Sequence, residues 1–459
     1  MGKSPDIGKP GDMSKIKIHG VRAEVFGWAM YDWANSAFST IVVTTLLGPY
    51  LTGLGEKVGG VVINGFSIEP SAFFPACVSV SVLLQVVFLP LIGVLADNAR
   101  MKKEMLVGFA ITGSIATLLL YFIRPDLLAV GTKGAVLLGG LFFVLANFAF
   151  GASIVLCNAF LTHIASPEQR DRVSSFGWAL GYLGGGIALA ITLVFFRWMA
   201  DQELAVRLSL AFAGGWWLLF TLMFPARYLS NGQPNKYVFT EGASLGNGFR
   251  QIFHTLHSMY HNYPETLKFL TAYLFYNDGI QTVIVVATIF ASEELGVDAK
   301  ILVYLIVMIQ FVAFAGSLLF GWLTGWIGAK KAIMLSLFVW SLVTIYACVF
   351  LHNTAELFFM GAVVALVLGG SQALSRSLFS QLIPERSEAE YFAFYEISER
   401  GTSWIGPLAF SAAIQMTGSC RIAIFPLVLF FVMGLILLSR VNVRMGMVRA
   451  GNDVTGVII

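Results

Sequence analysis

Apolar residues fall into long runs along this chain, and shorter polar segments separate the runs. A helix needs about twenty mostly apolar residues to cross roughly 30 Å of hydrocarbon. Because every backbone N–H and C=O must be hydrogen-bonded within its segment there, the runs predict transmembrane helices rather than strands. Twelve runs have a suitable length: residues 28–52, 71–95, 105–123, 134–163, 174–196, 208–224, 267–291, 301–323, 332–351, 355–382, 394–417 and 422–439.

A polar gap divides these runs into two sets of six. The predicted organisation is an N-terminal tail at 1–23, a six-helix bundle at 24–224, a central loop at 225–266, a second six-helix bundle at 267–440 and a tail at 441–459. Spans packed side by side in this way make one body, although the length alone would suggest two or three soluble domains.

The central loop contains one segment with helical periodicity. Its apolar residues share a face, which predicts an amphipathic helix lying at the membrane interface. These residues are Phe249, Ile252, Phe253, Leu256 and Tyr260. The opposite face carries His254, His257 and His261, which we interpret as a solvated face rather than a metal site.

Composition and charge agree with a membrane protein. Apolar residues make up 57% of the chain and charged residues 12%, whereas a soluble domain has about 45–50% and about 25%. The net charge of +3 is small, and the basic residues are scattered, which excludes a nucleic-acid-binding surface. If the twelve runs cross the membrane in turn, most of the 29 Lys and Arg residues fall in segments on the same side of the membrane as the N-terminus. Since cytosolic loops are the ones rich in these residues, both termini are expected in the cytosol.

The two halves repeat each other in parallel. In the first half, Gly93 begins a segment that ends in the lysine pair Lys102 and Lys103. In the second half, Gly321 begins a segment that ends at the same spacing in Lys330 and Lys331. A Pro-Glu pair follows both the fourth and the tenth run, and an aspartate follows a tyrosine in both the first and the seventh. Two six-helix halves in parallel repeat are the plan of the major facilitator superfamily.

Two longer segments narrow the resemblance. Residues 31–38 read YDWANSAF, and residues 372–379 read QALSRSLF and are followed by Ile383 and Pro384. Both segments resemble signatures of one major facilitator family, which contains the fungal vacuolar amino-acid effluxer linked to autophagy and many bacterial members of unassigned substrate. The resemblance covers essentially residues 22–440, and it implies secondary transport by alternating access without ATP. The chain departs from the superfamily pattern at Arg100 and Met101, and it has Gly325 where the pattern has an acid. The interaction of Asp97 that stabilises one conformation in this superfamily is therefore expected in the first half only.

Polar residues inside the runs are the candidates for function, because they are costly in hydrocarbon and mark substrate or ion pathways. Most of them lie in runs 1, 4, 7 and 10, which line the central cavity in the superfamily that this chain resembles, and run 11 adds three near its start. The candidates for binding a substrate or ion are Asp32, Asn35, Asn147, Asn277, Asp278, Gln281, Gln372 and Arg376. The candidates for gating are Asp97, Arg100, Glu396, Glu399 and Arg400.

Asp32 and Arg376 lie at similar depth, about eight residues or roughly 12 Å from the cytosolic ends of their helices. They are therefore expected to face each other across the cavity. Either Arg376 holds a substrate carboxylate while Asp32 or Asp278 receives an ammonium group or a coupling proton, or the pair is a permanent bridge or gate that no substrate touches. Glu396 and Arg400 are four residues apart on one helix and are expected to form a local pair.

The residues inside the runs distinguish between classes of function. An enzyme is disfavoured because the chain lacks HExxH, GxSxG and any metal-ligand cluster inside the runs, and an ATP-driven pump is excluded by the absence of GxxxxGK[ST]. A receptor or sensor on a transporter frame is the remaining alternative. The leading hypothesis is a transporter of amino acids or similar zwitterions, with sugars, peptides and drugs left open. We expect no cofactor and no metal, a monomer in a prokaryotic inner membrane, and protons as a possible coupling ion.

Overall fold

The computed structural model describes residues 17–18, 21–63, 66–99, 101–124, 131–231, 245–400 and 405–459. The described chain is helical apart from two short antiparallel pairs, β1 (Lys17–Ile18) with β2 (Val21–Arg22) and β3 (Val61–Ile63) with β4 (Phe66–Ile68).

The helices follow the apolar runs. In the first half they are α1 (Ala23–Ala37), α2 (Leu47–Glu56), α3 (Pro70–Ala99), α4 (Lys102–Leu119), α5 (Gly131–Ile164), α6 (Arg170–Trp198), α7 (Gln202–Met223) and α8 (Pro225–Tyr228). The central loop contributes α9 (Leu245–His261). The second half contains α10 (Pro264–Glu293), α11 (Ala299–Ile327), α12 (Ala329–Val349), α13 (Thr354–Leu382), α14 (Glu388–Arg400), α15 (Ile405–Thr417), α16 (Cys420–Ser439) and α17 (Val443–Arg449).

Eleven helical segments of the described chain are long and apolar enough to cross a membrane. The first runs unbroken over Ala23–Glu56, because a π-helical stretch at Phe38–Leu46 joins α1 to α2. The run expected to form one helix over 394–417 differs. Its helix begins earlier, at Glu388, and two 13-residue helices, α14 and α15, flank residues 401–404, which lie outside the described residues.

Short polar side chains set several helix starts. Asp201, Asn353 and Ser419 each accept a hydrogen bond from the backbone N–H three residues later, at the starts of α7, α13 and α16. Such caps satisfy N–H groups that have no partner within the helix. The polar loops therefore place the ends of the spans.

The outer surface of the bundle is apolar. Leu83, Leu141 and Leu429 are each exposed by 59% or more, on three different spans. Exposed apolar surface of this extent is unfavourable in water but suits lipid. The surface therefore agrees with a protein embedded in a bilayer.

Helix ends from both halves meet at one face of the molecule, which we call the terminal face. Here Ser230, beyond α8, donates a hydrogen bond of 2.7 Å to Glu24 at the start of α1. Lys330, at the start of α12, donates one of 2.8 Å to the carbonyl of Ser439 at the end of α16. The start of α4 packs near α8 and pairs with the start of α14, and α10 packs against both α14 and α17, so the first span starts and the last span ends at the same face.

The two halves pack together through α3 against α14 and through α6 against α11 and α13. At the terminal face Gly93 of α3 lies against the backbone of Ala389 and Glu390, where a β-carbon would be 2.5 Å from the carbonyl oxygen of Ala389. Gly186 of α6 meets Gln310 of α11 nearer mid-depth. At the far face, the ion pairs Lys57–Glu203 and Arg421–Glu294 each stay within one half.

Helix α9 lies beside α3 and is amphipathic, as the periodicity predicts. Phe253 and Tyr260 are exposed by 72% and 68%, whereas Thr255 and Met259 are buried against the bundle. The side chains of Phe249 and Ile252 lie outside the described residues. An interfacial position for this helix stays a prediction.

Candidate transport site and gate

Arg376 of α13 is the centre of the contact between the two halves. Its side chain is 3% exposed, and its Nη1 donates a hydrogen bond of 2.9 Å to Oδ2 of Asp32 on α1. The two residues thus face each other as expected from their depth. A buried carboxylate and guanidinium compensate each other's charge, so neither can leave without leaving the other uncompensated.

Two further residues of the first half hold the guanidinium. Ser174 of α6 accepts hydrogen bonds from Nε through its hydroxyl and from Nη2 through its carbonyl, each at 2.9 Å. Asn158 of α5 accepts a longer one of 3.3 Å from Nη1. With Asp32, these contacts engage all three guanidinium nitrogens of Arg376. In this conformation the guanidinium is bound to the protein.

Two aromatic rings and a glycine complete the environment of Arg376. The guanidinium lies 4.6 Å from the ring centroid of Trp28 and 5.5 Å from that of Trp178. A β-carbon on Gly177 would approach Nη2 of Arg376 to 2.9 Å and Oδ2 of Asp32 to 2.6 Å. Gly177 therefore provides the space in which the pair forms.

A second polar layer lies about one helical turn farther from the terminal face. Gln372 is four residues before Arg376 on α13, and it accepts a hydrogen bond from the hydroxyl of Tyr182 on α6. Within the second half, Tyr273 donates a hydrogen bond of 2.9 Å to Oε2 of Glu399, and the Asn277 amide donates one of 3.0 Å to the Glu399 carbonyl. Helices α6, α10, α13 and α14 all contribute to this layer.

Glu396 and Arg400 form the expected ion pair within α14. The Arg400 guanidinium also lies 4.7 Å from the ring centroid of Phe150, which belongs to α5 of the other half. The pair thus touches both halves. Its assignment to gating stays a prediction.

Two candidate residues are buried with unmatched polar atoms. Asp278 is 1% exposed, and its carboxylate has no side-chain hydrogen-bond partner among the described residues, although it lies against the backbone of Gly406. The Nδ2 atom of Asn35 likewise has no partner there. Buried polar groups without partners are costly, and such exceptions are candidates for a functional role.

Other candidates are placed differently. The Asn147 amide donates to Ser81 at 2.7 Å, so this residue links α5 to α3 within one half. Gln281 is half-buried on α10, one turn beyond Asn277. Arg100 lies outside the described residues. The structure thus assembles Asp32 with Arg376, and Asn277 with Glu399, but it does not join Asn147 to either group.

The terminal face is closed by a charged cluster between α3, α4 and α14. The Asp97 carboxylate accepts hydrogen bonds from the backbone N–H of Ala389 at 3.3 Å and of Glu390 at 2.9 Å, at the N-terminus of α14. Lys102 lies 2.8 Å from both Asp97 and Glu388. An anion at a helix N-terminus is favourable, and Lys102 compensates the added carboxylate.

A second closure lies between α6 and the end of α13, and the sequence did not indicate it. Asp171 accepts a hydrogen bond from Ser377. Arg170 is 4% exposed and donates a hydrogen bond of 2.8 Å to the carbonyl of Ser380. Polar residues at the start of a span are common, so nothing in the sequence singles out Arg170, Asp171 or Ser174.

No group of three or more His, Cys, Asp or Glu side chains suited to a metal ion is found in the part of the chain that the structure describes.

A protein-family model described as vacuole effluxer Atg22 like matches residues 20–169 and 162–451. This chain belongs to the Atg22-like family. An uncharacterized MFS-type transporter of Bacillus subtilis (strain 168), YxiO, is 30% identical over 420 residues, which cover 90% of this chain and 94% of the relative. Autophagy-related protein 22-1 of Penicillium rubens is 25% identical, over 80% of this chain and 75% of that protein. The resemblance expected from residues 31–38 and 372–379 is confirmed.

Solved structures agree in fold. The proton:xylose symporter XylE is 13% identical and superposes over 92% of this chain and 96% of its own with a TM-score of 0.66. FucP in the outward conformation is 11% identical and superposes over 92% of this chain and all of its own, with a TM-score of 0.64. This member of the Atg22-like family therefore has the major facilitator fold. It is a multi-pass membrane transporter and not an enzyme.

Proposed function

We propose that this chain is a secondary transporter that moves an amino acid or a similar zwitterion by alternating access. The observation that carries the proposal is the buried ion pair between Arg376 and Asp32, which joins the two halves directly beneath the polar layer of Gln372, Tyr182 and Glu399. A transporter needs a contact whose strength depends on the substrate, and we propose this pair as that contact.

The substrate is proposed to exchange partners with the pair. Its carboxylate enters the layer at Gln372 and competes with Asp32 for the guanidinium of Arg376, because arginine binds carboxylates through paired hydrogen bonds. Its ammonium group lies toward the acidic side of the layer at Glu399. When the Asp32 contact is lost, the halves are joined less tightly at the terminal face, and this face can open.

Coupling to protons follows from the same exchange. Once Arg376 is bound to a substrate carboxylate, Asp32 is left buried without its counterion, which is unfavourable unless it takes up a proton. Asp278 is a second proposed carrier, because its buried carboxylate has no side-chain hydrogen-bond partner among the described residues. Either residue would link substrate movement to a proton gradient.

The membrane arrangement is proposed as twelve spans, with α14 and α15 together forming the eleventh. The terminal face is placed in the cytosol on the basis of the Lys and Arg distribution. The bacterial relative supports a prokaryotic inner membrane. The effluxer description of the family supports export. In the proposed exchange the substrate gradient drives export, because substrate and proton move together and an inward proton gradient favours uptake. The proposed unit is a monomer.

Thermal stability of the purified protein tests the substrate class. A ligand that binds the folded state raises stability by RT ln(1 + [L]/Kd), so even weak binders are detected at high concentration. We expect a shift with one or more amino acids that is lost in Arg376→Ala and kept in Arg421→Ala, which removes an arginine from the far face. A shift with sugars, or with cations that lack a carboxylate, and none with amino acids would contradict the proposed substrate.

A further inference from the structure

Residues 441–459 fold back against the terminal face after the last membrane-crossing helix. Asn442 caps α17 by accepting a hydrogen bond of 3.0 Å from the N–H of Met445. Val443 and Met447 of α17 are buried, at 4% and 0% exposure. This segment is therefore packed on the transporter rather than extended from it.

Most contacts of the segment are with the second half. The backbone N–H of Asn442 donates a hydrogen bond of 2.6 Å to the carboxylate of Glu265 at the start of α10. Gly446 lies against Leu382 at the end of α13. The Asn452 amide donates to the carbonyls of Gln381 at 2.9 Å and Ile383 at 3.0 Å. These contacts fix the segment to α10 and α13.

Its contacts with the first half are fewer and longer. Arg170 of α6 donates a hydrogen bond of 3.5 Å to Oδ1 of Asn452, while the same nitrogen donates to Ser380 of the second half. A β-carbon on Gly456 would lie 3.7 Å from the β-carbon of Glu168, in the loop before α6. A hydrogen bond of 3.5 Å is at the long limit and is therefore weak.

This asymmetry has a mechanical consequence. Opening the terminal face separates Arg170 and Glu168 of the first half from the end of α13. The segment cannot stay bound to both sides during that movement, and the weaker contacts with the first half break first.

We propose that residues 441–459 form a strap, anchored on the second half, that holds the terminal face closed through Arg170 and the loop at Glu168. The strap sets how readily this face opens, and it moves with the second half when Arg170 releases Asn452. This inference rests on the proposed alternating access.

The native Cys157 provides a reporter that needs no substrate. It is buried on α5 next to Asn158, and its carbonyl accepts a hydrogen bond of 2.7 Å from the Trp28 indole beneath Arg376. Because Cys157 is 0% exposed in this closed conformation, a thiol reagent needs a conformational opening to reach it, and we propose that separation of the two halves supplies it. The parent protein for the test carries Cys77→Ser, Cys348→Ser and Cys420→Ser, and modification of the Cys157 peptide is followed by mass spectrometry in detergent.

Two changes to the strap should act in opposite directions. Asn452→Ala removes the hydrogen bonds to both halves and should raise the rate of Cys157 modification by roughly fivefold. The pair Glu168→Cys with Gly456→Cys has a β-carbon separation within the range of a disulfide, so its oxidation should fasten the strap to the first half. We expect oxidation to lower the rate at least tenfold and reduction to restore it.

The controls separate the strap from general damage. Val448→Ala changes a side chain of the strap that is 60% exposed, and it should leave the rate unchanged. Each single cysteine variant should behave like the parent, and Gly456→Cys is needed because Gly456 has a φ of 78°, which cysteine rarely adopts.

The outcomes distinguish the strap from the transport proposal. If Arg376→Ala exposes Cys157 while Asn452→Ala and the oxidised pair both match the parent, the strap is wrong and alternating access stands. If Cys157 stays unreactive in the parent, in Arg376→Ala and in Asn452→Ala, both proposals are overturned.

Discussion

Nη1 of Arg376 and Oδ2 of Asp32 lie 2.9 Å apart, in a buried ion pair that joins the second half of the protein to the first. The pair sits between the closed terminal face and the polar layer around Gln372. We propose that this position links substrate binding in the centre of the protein to opening of the terminal face.

The ion pair should show strong coupling between its two residues. Asp32→Asn and Arg376→Gln should each lower the free energy of unfolding by roughly 3 kcal/mol, because each leaves the other charge buried without its partner. The double variant should lose clearly less than the sum of the two single losses. Equilibrium unfolding of the four proteins in detergent measures the coupling, and additive losses would show that the two charges act independently.

Gly93 should be required for closure of the terminal face. In Gly93→Val the new side chain would collide with the backbone of Ala389 and Glu390, since a β-carbon alone would be 2.5 Å from a carbonyl oxygen. Opening should therefore be favoured, and Cys157 should react at least tenfold faster with a thiol reagent. Gly108→Val is the matched control, because a β-carbon there meets no atom within 4 Å. Equal rates in the two variants would refute the proposed contact.

Lys102 should stabilise the closed face more than its neighbour does. Lys102→Met leaves the carboxylates of Asp97 and Glu388 close together without their shared cation. We expect faster Cys157 modification, by roughly tenfold, since loss of one partner from a buried charge cluster costs more than 1 kcal/mol. Lys103→Met removes an adjacent lysine outside this cluster and should have little effect. A larger effect at Lys103 would show that overall charge, rather than the cluster, closes the face.

Much of the fold follows from the sequence, because spans are long and apolar. Asp32 and Arg376 can also be predicted from the sequence, since charges within such apolar runs are rare. The residues that hold Arg376 in place, Ser174 and Gly177, were not predicted, because a small residue on a helix face has no signature of what it will meet. The strap was not predicted either, because Asn452 binds backbone carbonyls, which every residue carries.

Proton coupling should depend on one of two carboxylates. Transport by Asp32→Asn or by Asp278→Asn should lose its dependence on a pH gradient, because an amide cannot carry the proton. Glu203→Gln removes a carboxylate that is 55% exposed and pairs with Lys57 at the far face, and it serves as the matched control. Counterflow, which needs no gradient, should persist in the coupling variant. Retained gradient dependence in both asparagine variants would exclude the proposed carriers.

The most direct test is transport by the purified protein in proteoliposomes. Radiolabelled amino acids, a sugar and a dipeptide are offered to the wild type, to Arg376→Lys and to Arg421→Lys. The account predicts saturable movement of an amino acid by the wild type and by Arg421→Lys. It predicts at least a tenfold loss in Arg376→Lys, because lysine cannot reproduce the paired hydrogen bonds of a guanidinium. Amino-acid transport by Arg376→Lys at the wild-type rate, or transport of the sugar alone, would contradict it.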